Sequence, residues 1–298
     1  MFAQTHPPSS AAAAASQGPA TRLCCACGSI TEHDFRFHVN GWRIFQCRLC
    51  GTGCTDAHGF DPALYYTEDY FCGGHADGYS DYLGSEEVLR REFARSVDFI
   101  RRYRRGGRLL EIGCAYGFFL TEARGHFDVI GLELATEAVD HARGAGLHVL
   151  QGEPDEKTLR EIGNVDVIVM LDVIEHLPDP RQTLALCRRY INPGGIIVIT
   201  TGDFGSVLAR SAGKKWRLMT PPQHLWFFTG EGMRRLATGA GFSMPHFDRP
   251  WKIVPASLAL FQLQRIFHVP VPRLAATSRF GIPINLFDAM RVVLQKPW

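Results

Sequence analysis

The chain lacks several features that would place it in a membrane, on a secretory route or on nucleic acid. No apolar run approaches the roughly 18 residues that a membrane-spanning helix needs. Residues 1–20 contain no Lys or Arg and no long apolar core, so they do not match a signal peptide, and we interpret them as a disordered tail. The net charge of +2 over 298 residues gives no reason to expect a nucleic-acid partner. These absences predict a cytoplasmic protein.

The Gly-x-Gly-x-x-Gly spacing of dinucleotide sites is also missing, which argues against a nicotinamide-dependent reductase. Residues 109–120 instead begin as an apolar run that contains one acid, Glu111. Small residues then follow at alternate positions, namely Gly113, Ala115 and Gly117. This pattern predicts a buried strand, a tight turn and the start of a helix, with backbone against which a ligand can lie.

Further predicted strands end in acidic residues. Residues 128–134 form the second strand and contain Glu133, and residues 148–150 form the third, shortly before Glu153. The fourth covers residues 165–170, with Asp172 just beyond it, and the fifth covers residues 196–200. In a parallel sheet the carboxyl ends of such strands lie at one edge, where nucleotide-like ligands bind.

Taken together, residues 106–245 resemble the class I S-adenosylmethionine (SAM) methyltransferases. The resemblance is carried by the Glu-x-Gly-x-Ala-x-Gly turn, the acid-tipped strands, the Glu-His-Leu-x-Asp-Pro element at 175–180 and the Pro-Gly-Gly turn at 193–195. It implies an α/β fold with a doubly wound, seven-stranded, Rossmann-like sheet whose last strand is antiparallel. It also implies that Glu133 binds the ribose of SAM and that Glu153 meets the adenine amino group. The expected cofactor-binding residues are Glu111, Gly113, Ala115, Gly117, Glu133, Leu134, Glu153 and Asp172.

Four of the nine cysteines have the spacing of metal ligands. Cys24-x-x-Cys27 and Cys47-x-x-Cys50 match the pattern of two C-x₂-C pairs that bind zinc. Four thiolates close a tetrahedral site and leave no position for a substrate, so the pattern predicts a structural zinc ribbon with four cysteine ligands. Reduced thiols packed in a small core are the alternative.

These assignments divide the chain into a tail (1–20), the zinc ribbon (21–58), an aromatic and Gly-rich linker (59–84) and a SAM-binding domain (85–298). The last two strands of the resembled fold, expected near 242–247 and 290–295, make 251–287 an insertion. That insertion contains prolines, apolar residues and mostly basic charges. We expect it to cover the substrate site; the alternative is that it makes peripheral contact with an anionic membrane surface.

Two histidines are candidate bases, because methyl transfer to oxygen requires removal of a proton near the ends of strands four and five. The segment around His224 resembles that of zinc-ribbon sugar C-methyltransferases, although Gln223 replaces their Glu. His176 belongs to Asp172-x-x-Glu175-His176, which resembles ubiquinone-pathway O-methyltransferases. In some of those enzymes a divalent metal is proposed at these positions; alternatively, this pair only starts the next helix.

The resemblances favour methyl transfer to a small-molecule acceptor, with O-methylation of a sugar or glycan precursor expected first. C-methylation of a nucleotide sugar and methylation of a quinone- or polyketide-type acceptor are the alternatives. A different class stays open, a zinc-ribbon binding module fused to a catalytically idle fold. The ribbon has no dense basic stripe, which counts against binding of nucleic acid. The oligomeric state is left open.

Overall fold

A computed structural model of the chain describes residues 20–57, 81–260 and 279–298. The tail expected at 1–20 therefore falls outside the described residues except for Ala20, and the linker expected at 59–84 does so up to residue 80. Residues 261–278 of the predicted insertion also lie outside them.

The cysteine-rich N-terminal region, called the ribbon below (residues 20–57), forms an antiparallel sheet. Its own strands are β1 (Ala20–Cys24), β2 (Ser29–Val39), β3 (Trp42–Cys47) and β4 (Gly53–Thr55). A fifth strand, which the sequence did not predict, comes from far along the chain, where Trp226–Phe227 pairs antiparallel with β4. The ribbon thus shares its sheet with the rest of the molecule.

The main sheet has seven strands, as expected. In chain order they are β5 (Arg108–Ile112), β6 (Asp128–Glu133), β7 (Val149–Gln151), β8 (Val165–Leu171), β9 (Ile191–Gly202), β11 (Ser243–Asp248) and β14 (Ala289–Gln295), where β10 is the Trp226–Phe227 strand. Their spatial order is β11-β14-β9-β8-β5-β6-β7. The last strand, β14, runs antiparallel to both β9 and β11, which confirms the predicted topology.

Strand β8 shows why apolar runs of this kind form central strands. Val167 and Val169 pack into the core on one face of the sheet, while Ile168 and Met170 pack into the core on the other. A strand covered by helices on both faces needs apolar residues at every position rather than at every second one. The helices that provide this cover are α1 (Glu86–Ile100), α2 (Phe118–Ala123), α3 (Thr136–Gly144), α4 (Glu156–Ile162), α5 (Pro180–Tyr190) and α7 (Gly230–Gly239). Between α5 and α7 in the chain, α6 (Val207–Ala212) packs in a separate cluster with Ile44 of the ribbon.

The described part of the predicted insertion contains a small antiparallel hairpin made of β12 (Lys252–Pro255) and β13 (Gly281–Ile284). The backbone N–H of Ile253 donates a 2.7 Å hydrogen bond to Glu92 of α1. This contact fixes the hairpin across the carboxyl-end edge of the main sheet.

Candidate active site

A cavity of about 980 Å³ opens at the carboxyl ends of the parallel strands. Strand β5 pairs with β6 on one side and with β8 on the other, so the strand order reverses at β5. The cavity spans this switch point, which is where doubly wound sheets bind ligands. Six of the predicted cofactor-binding residues line it: Gly113, Ala115, Glu133, Leu134, Glu153 and Asp172. Both candidate bases, His176 and His224, line the same cavity.

Glu133 organises the turn that follows β5. Its Oε2 accepts a hydrogen bond from the N–H of Ala115 at 2.8 Å, and its Oε1 accepts from the N–H groups of Leu134 at 2.8 Å and Ala135 at 3.0 Å. The carboxylate is only 7% exposed and faces the cavity. A charged acceptor shared by three amides holds the turn in place, and it lies beside the space that a nucleoside would occupy.

Two residues of the turn have backbone conformations that side chains disfavour. Gly113 has φ +74° and Ala115 has φ +45°. A Cβ at Gly113 would come within 2.6 Å of Val173 Cγ2. The sequence interpretation attributed the small residues to close approach of a ligand; at Gly113 the atom that forbids a side chain belongs to the protein itself.

Gly117 and Glu111 are not among the residues that line the cavity. Gly117 precedes α2 with φ +80°, and a Cβ there would collide with Leu147 and crowd Ala142, so packing explains this glycine. Glu111 is buried behind the turn, and its Oε2 has no hydrogen-bond partner among the described residues. Burial, together with the negative charge of Glu133, raises the pKa of Glu111 well above its usual value.

Asp172 occupies a strained position at the end of β8, with φ +57°. Thr200 Oγ1 donates a 3.0 Å hydrogen bond to its Oδ1, and Lys252 Nζ lies 2.8 Å from its Oδ2. The side chain of Asp172 is exposed to the cavity. Desolvation by the surrounding protein would raise its pKa, but the Lys252 ammonium and the hydrogen bonds outweigh it and lower the pKa. A negative charge is thereby maintained on the cavity wall.

The two candidate histidines meet in the cavity, with ring centroids 4.7 Å apart and an interplanar angle of 73°. His176 Nδ1 lies 3.0 Å from the carbonyl oxygen of Gln223, and His224 Nδ1 lies 2.8 Å from that of Leu218. Because a carbonyl can only accept, each Nδ1 carries the proton, and in the neutral His224 ring this leaves the lone pair on Nε2. Burial lowers the pKa of His176 to about 4 and lowers that of His224 well below its usual value, with His176 contributing to the second shift. Both rings are therefore neutral at pH 7.

Glu175 completes a compact group with these histidines. One ligand atom from each of Glu175, His176 and His224 lies within 4.8 Å of the others, so the three could hold a cation. The sequence resemblance instead implied a metal on Asp172, Glu175 and His176, but Asp172 is paired with Lys252. Burial and the charge of Asp172 raise the pKa of Glu175 to about 8, and its Oε2 is buried without a hydrogen-bond partner among the described residues.

The four predicted zinc ligands come together in the ribbon. The sulfur atoms of Cys24 and Cys50 are 3.6 Å apart, those of Cys27 and Cys47 are 3.9 Å apart, and all four lie within 4.8 Å of one another. A tetrahedral zinc site with Zn–S bonds of about 2.3 Å needs S···S separations of roughly 3.8 Å. The donor set and its size therefore fit Zn²⁺.

Sequence reasoning did not identify three residues that shape the cavity: Thr200, Lys252 and Glu92. Thr200 lies on β9 opposite Leu171 and forms a hydrogen bond with Asp172. Its only signal in the sequence is a threonine at the end of a predicted strand. Lys252 is one of several basic residues in the predicted insertion, and no motif marks it. Its contact with Asp172, 80 positions away, has no local signature.

Comparisons with known proteins agree with this geometry. The sheet order and the position of the cavity define a class I SAM-dependent methyltransferase fold. A family model described as a methyltransferase domain matches residues 86–246. The chain therefore belongs to the methyltransferase domain family, as its sequence predicts.

The relatives found by sequence include enzymes named ubiquinone biosynthesis O-methyltransferase. The one from Methylococcus capsulatus is 30% identical over 139 residues, covering 43% of this chain and 58% of that protein. The one from Cereibacter sphaeroides is 31% identical over 174 residues, covering 54% and 69%. The chain thus spans about 60% of the length of the first relatives it matches.

Solved structures show the same fold. Magnesium protoporphyrin IX methyltransferase from Synechocystis, with bound SAH, matches 79% of this chain and 100% of its own, at a TM-score of 0.50 and 11% identity. A SAM-dependent methyltransferase from Archaeoglobus fulgidus matches 70% of this chain and 94% of its own, at a TM-score of 0.50 and 17% identity.

Within the part of this chain that the structure describes, no helix is both long enough and apolar enough to cross a membrane.

Proposed function

We propose that the protein transfers a methyl group from SAM to a hydroxyl of a small, largely apolar acceptor of the quinone type, with His224 as the base. SAM, when bound, supplies an electrophilic methyl group on a sulfonium. Gly113, Ala115, Glu133, Leu134 and Glu153 line the half of the cavity that would hold it. Their backbone and carboxylate groups suit a nucleoside with a positively charged tail.

The choice of acceptor rests on the residues that line the rest of the cavity. Beside the histidines, the hairpin and its flanks contribute Ile253, Val254, Leu258 and Leu286, and α1 contributes Phe93. The same cavity also contains charged side chains such as Arg217 and Lys252, so it suits a hydrophobic ring that bears polar substituents. The names of the sequence relatives support the same class. We therefore place the quinone-type acceptor ahead of the sugar that the sequence resemblance favoured.

His224 is suited to remove the proton from the acceptor hydroxyl. Its Nδ1–H is held by the carbonyl oxygen of Leu218, which leaves Nε2 as the accepting atom. The lowered pKa of the buried ring keeps this nitrogen unprotonated, and it also makes the nitrogen a weaker base than a free imidazole. His176 is in contact with it and is held in the same tautomer by Gln223. A positioned base of this kind contributes roughly 10²- to 10⁴-fold to the rate.

A screen with methyl-labelled SAM tests the proposal, using hydroxylated quinones, catechols and nucleotide sugars as acceptors. We expect label on the oxygen of a phenolic or quinone acceptor. We also expect His224→Ala to lower kcat by roughly 100-fold or more while the Kd for SAM stays within twofold. Label only on sugars, or full turnover by His224→Ala, would contradict it.

The compact group of Glu175, His176 and His224 supports one competing role for the same residues, the binding of a divalent cation that polarises the acceptor oxygen. The two roles differ in their metal dependence. Under the base mechanism, turnover persists in a chelator that is too weak to strip the ribbon. Under the cation mechanism, turnover falls in the chelator and is restored by Mg²⁺ or Mn²⁺.

We also propose that Cys24, Cys27, Cys47 and Cys50 hold a structural Zn²⁺.

A further inference from the structure

The segment that carries His224 continues directly into the sheet of the ribbon. Trp226 and Phe227 pair with Cys54 and Gly53 of β4, so the candidate base lies two residues before a strand of that sheet. The position of the His224 backbone therefore depends on the ribbon as well as on the main domain.

Thr55, the last residue of β4, contacts this segment at two points. Its Oγ1 donates a 2.6 Å hydrogen bond to the carbonyl oxygen of His224, and its N–H donates a 2.9 Å hydrogen bond to that of Leu225. On the other side, the N–H of Leu225 donates at 2.9 Å to the carbonyl oxygen of Glu175. Leu225 is thus held between the ribbon and the turn that carries Glu175 and His176.

Further contacts fix the same segment along its length. Trp226 Nε1 donates to the carbonyl oxygen of Leu177 at 2.9 Å. Thr229 Oγ1 donates at 2.7 Å to the carbonyl oxygen of Cys50, one of the four clustered cysteines. Residues 224–229 are therefore tied at both ends to residues 50–55 of the ribbon, which begin at a predicted metal ligand.

We propose that Thr55 is a positioning residue, which fixes the backbone of His224 and thereby makes the ribbon part of the catalytic machinery. The ribbon then acts on the acceptor half of the cavity, and it is not a separate module for an outside partner. This inference rests on the proposed function for the role of His224. The cofactor half is built by β5, β6 and β7, whereas the hydrogen bonds of Thr55 described above go to residues 224 and 225. We therefore expect its effect to fall on turnover and not on SAM binding.

The test compares Thr55→Val, which removes the hydroxyl at nearly constant volume, with Thr55→Ser, which keeps it. Thr21→Val is the matched control, because Thr21 is an exposed threonine in the same sheet. We expect Thr55→Val to lower kcat by roughly tenfold or more, since small displacements of a catalytic group have large effects on rate. The Kd for SAM and the zinc content per chain should stay within error of the parent. Thr55→Ser and Thr21→Val should keep kcat within about threefold.

A second readout does not depend on turnover. In protein labelled with ¹⁵N-histidine, the His224 imidazole signals are identified by their loss in His224→Gln. These signals should shift in Thr55→Val and stay in place in Thr55→Ser. Unchanged kcat and unchanged signals in Thr55→Val would overturn the inference. A parallel fall in kcat, SAM affinity and zinc content would also overturn it, because it would indicate general loss of structure.

The two proposals fail in distinguishable ways. If no acceptor is methylated, or if His224→Gln turns over normally, the proposed function is wrong. In that case, a shift of the His224 imidazole signals in Thr55→Val relative to the parent still shows whether Thr55 fixes the position of His224. If His224 is essential but Thr55→Val is fully active, only the positioning role is wrong.

Discussion

Replacement of Glu133 by Gln is the sharpest test of the cofactor half of the cavity. The two carboxylate oxygens accept from three backbone N–H groups, those of Ala115, Leu134 and Ala135. An amide has only one acceptor oxygen. In its better orientation it can serve Leu134 and Ala135, and its NH₂ group then faces the N–H of Ala115, donor against donor.

The expected loss of stability and of SAM affinity can be calculated from the hydrogen bonds that Glu133→Gln removes. A hydrogen bond to a charged group contributes about 1.5–3 kcal/mol, and the Ala115 N–H would be left without its partner. We expect Glu133→Gln to lower the free energy of unfolding by about 2 kcal/mol. If the carboxylate also binds a ribose hydroxyl, SAM affinity falls by a similar energy, which corresponds to roughly a 10- to 150-fold rise in Kd.

Calorimetric titration with SAM and thermal unfolding of the same samples measure both effects. Glu137→Gln is the matched control, since Glu137 is an exposed acid that does not line the cavity, and its replacement should leave Kd within about twofold. A folded Glu133→Gln protein that binds SAM within twofold of the parent would refute the assignment of Glu133 to the cofactor.

Three further predictions test other parts of the molecule. Gly113→Ala should destabilise the fold by about 2 kcal/mol, because of its left-handed backbone and the contact with Val173, and Val173→Ala in the same chain should recover part of the loss measured by denaturant unfolding. Cys50→Ser should lower the zinc content of the purified protein to well below one per chain and lower its Tm. An unchanged zinc content would show that these cysteines are not the zinc ligands. Because burial puts the pKa of His176 at about 4 and that of His224 well below its usual value, protonation does not remove the base as pH falls from 8 to 6. We therefore expect kcat to show no histidine titration across that range, and an acid limb centred near 6.5 would contradict it.

Much of the fold follows from short-range patterns in the chain. The apolar run of β8 predicts a strand buried on both faces, and the structure shows that burial. The turn at 113–117 and the grouping of the four cysteines are also encoded locally, because a glycine conformation or a C-x₂-C spacing involves only a few consecutive residues. Such patterns can be recognised in the sequence without knowledge of the tertiary structure.

The assignment of roles within the turn shows the limit of these patterns. Glu111, Gly113, Ala115 and Gly117 belong to one motif, but Glu111 and Gly117 do not line the cavity. Whether a strand residue faces the ligand, a helix or the core behind the turn depends on which elements pack against it. Val173 beside Gly113 and Leu147 beside Gly117 come from separate elements whose positions the motif does not specify.

The amino-acid sequence by itself indicated the side-chain-poor turn and the metal-type cysteine pairs, and its resemblance to a known family implied the methyltransferase topology. Only the tertiary structure decided that His176 and His224 share one pocket, that Lys252 pairs with Asp172, and that Thr55 reaches His224 across 169 positions. Periodicity and turn chemistry arise from neighbours in the chain, and so they can be read directly. Contacts between distant segments are set by sheet pairing and packing of the whole molecule, and no local pattern records them.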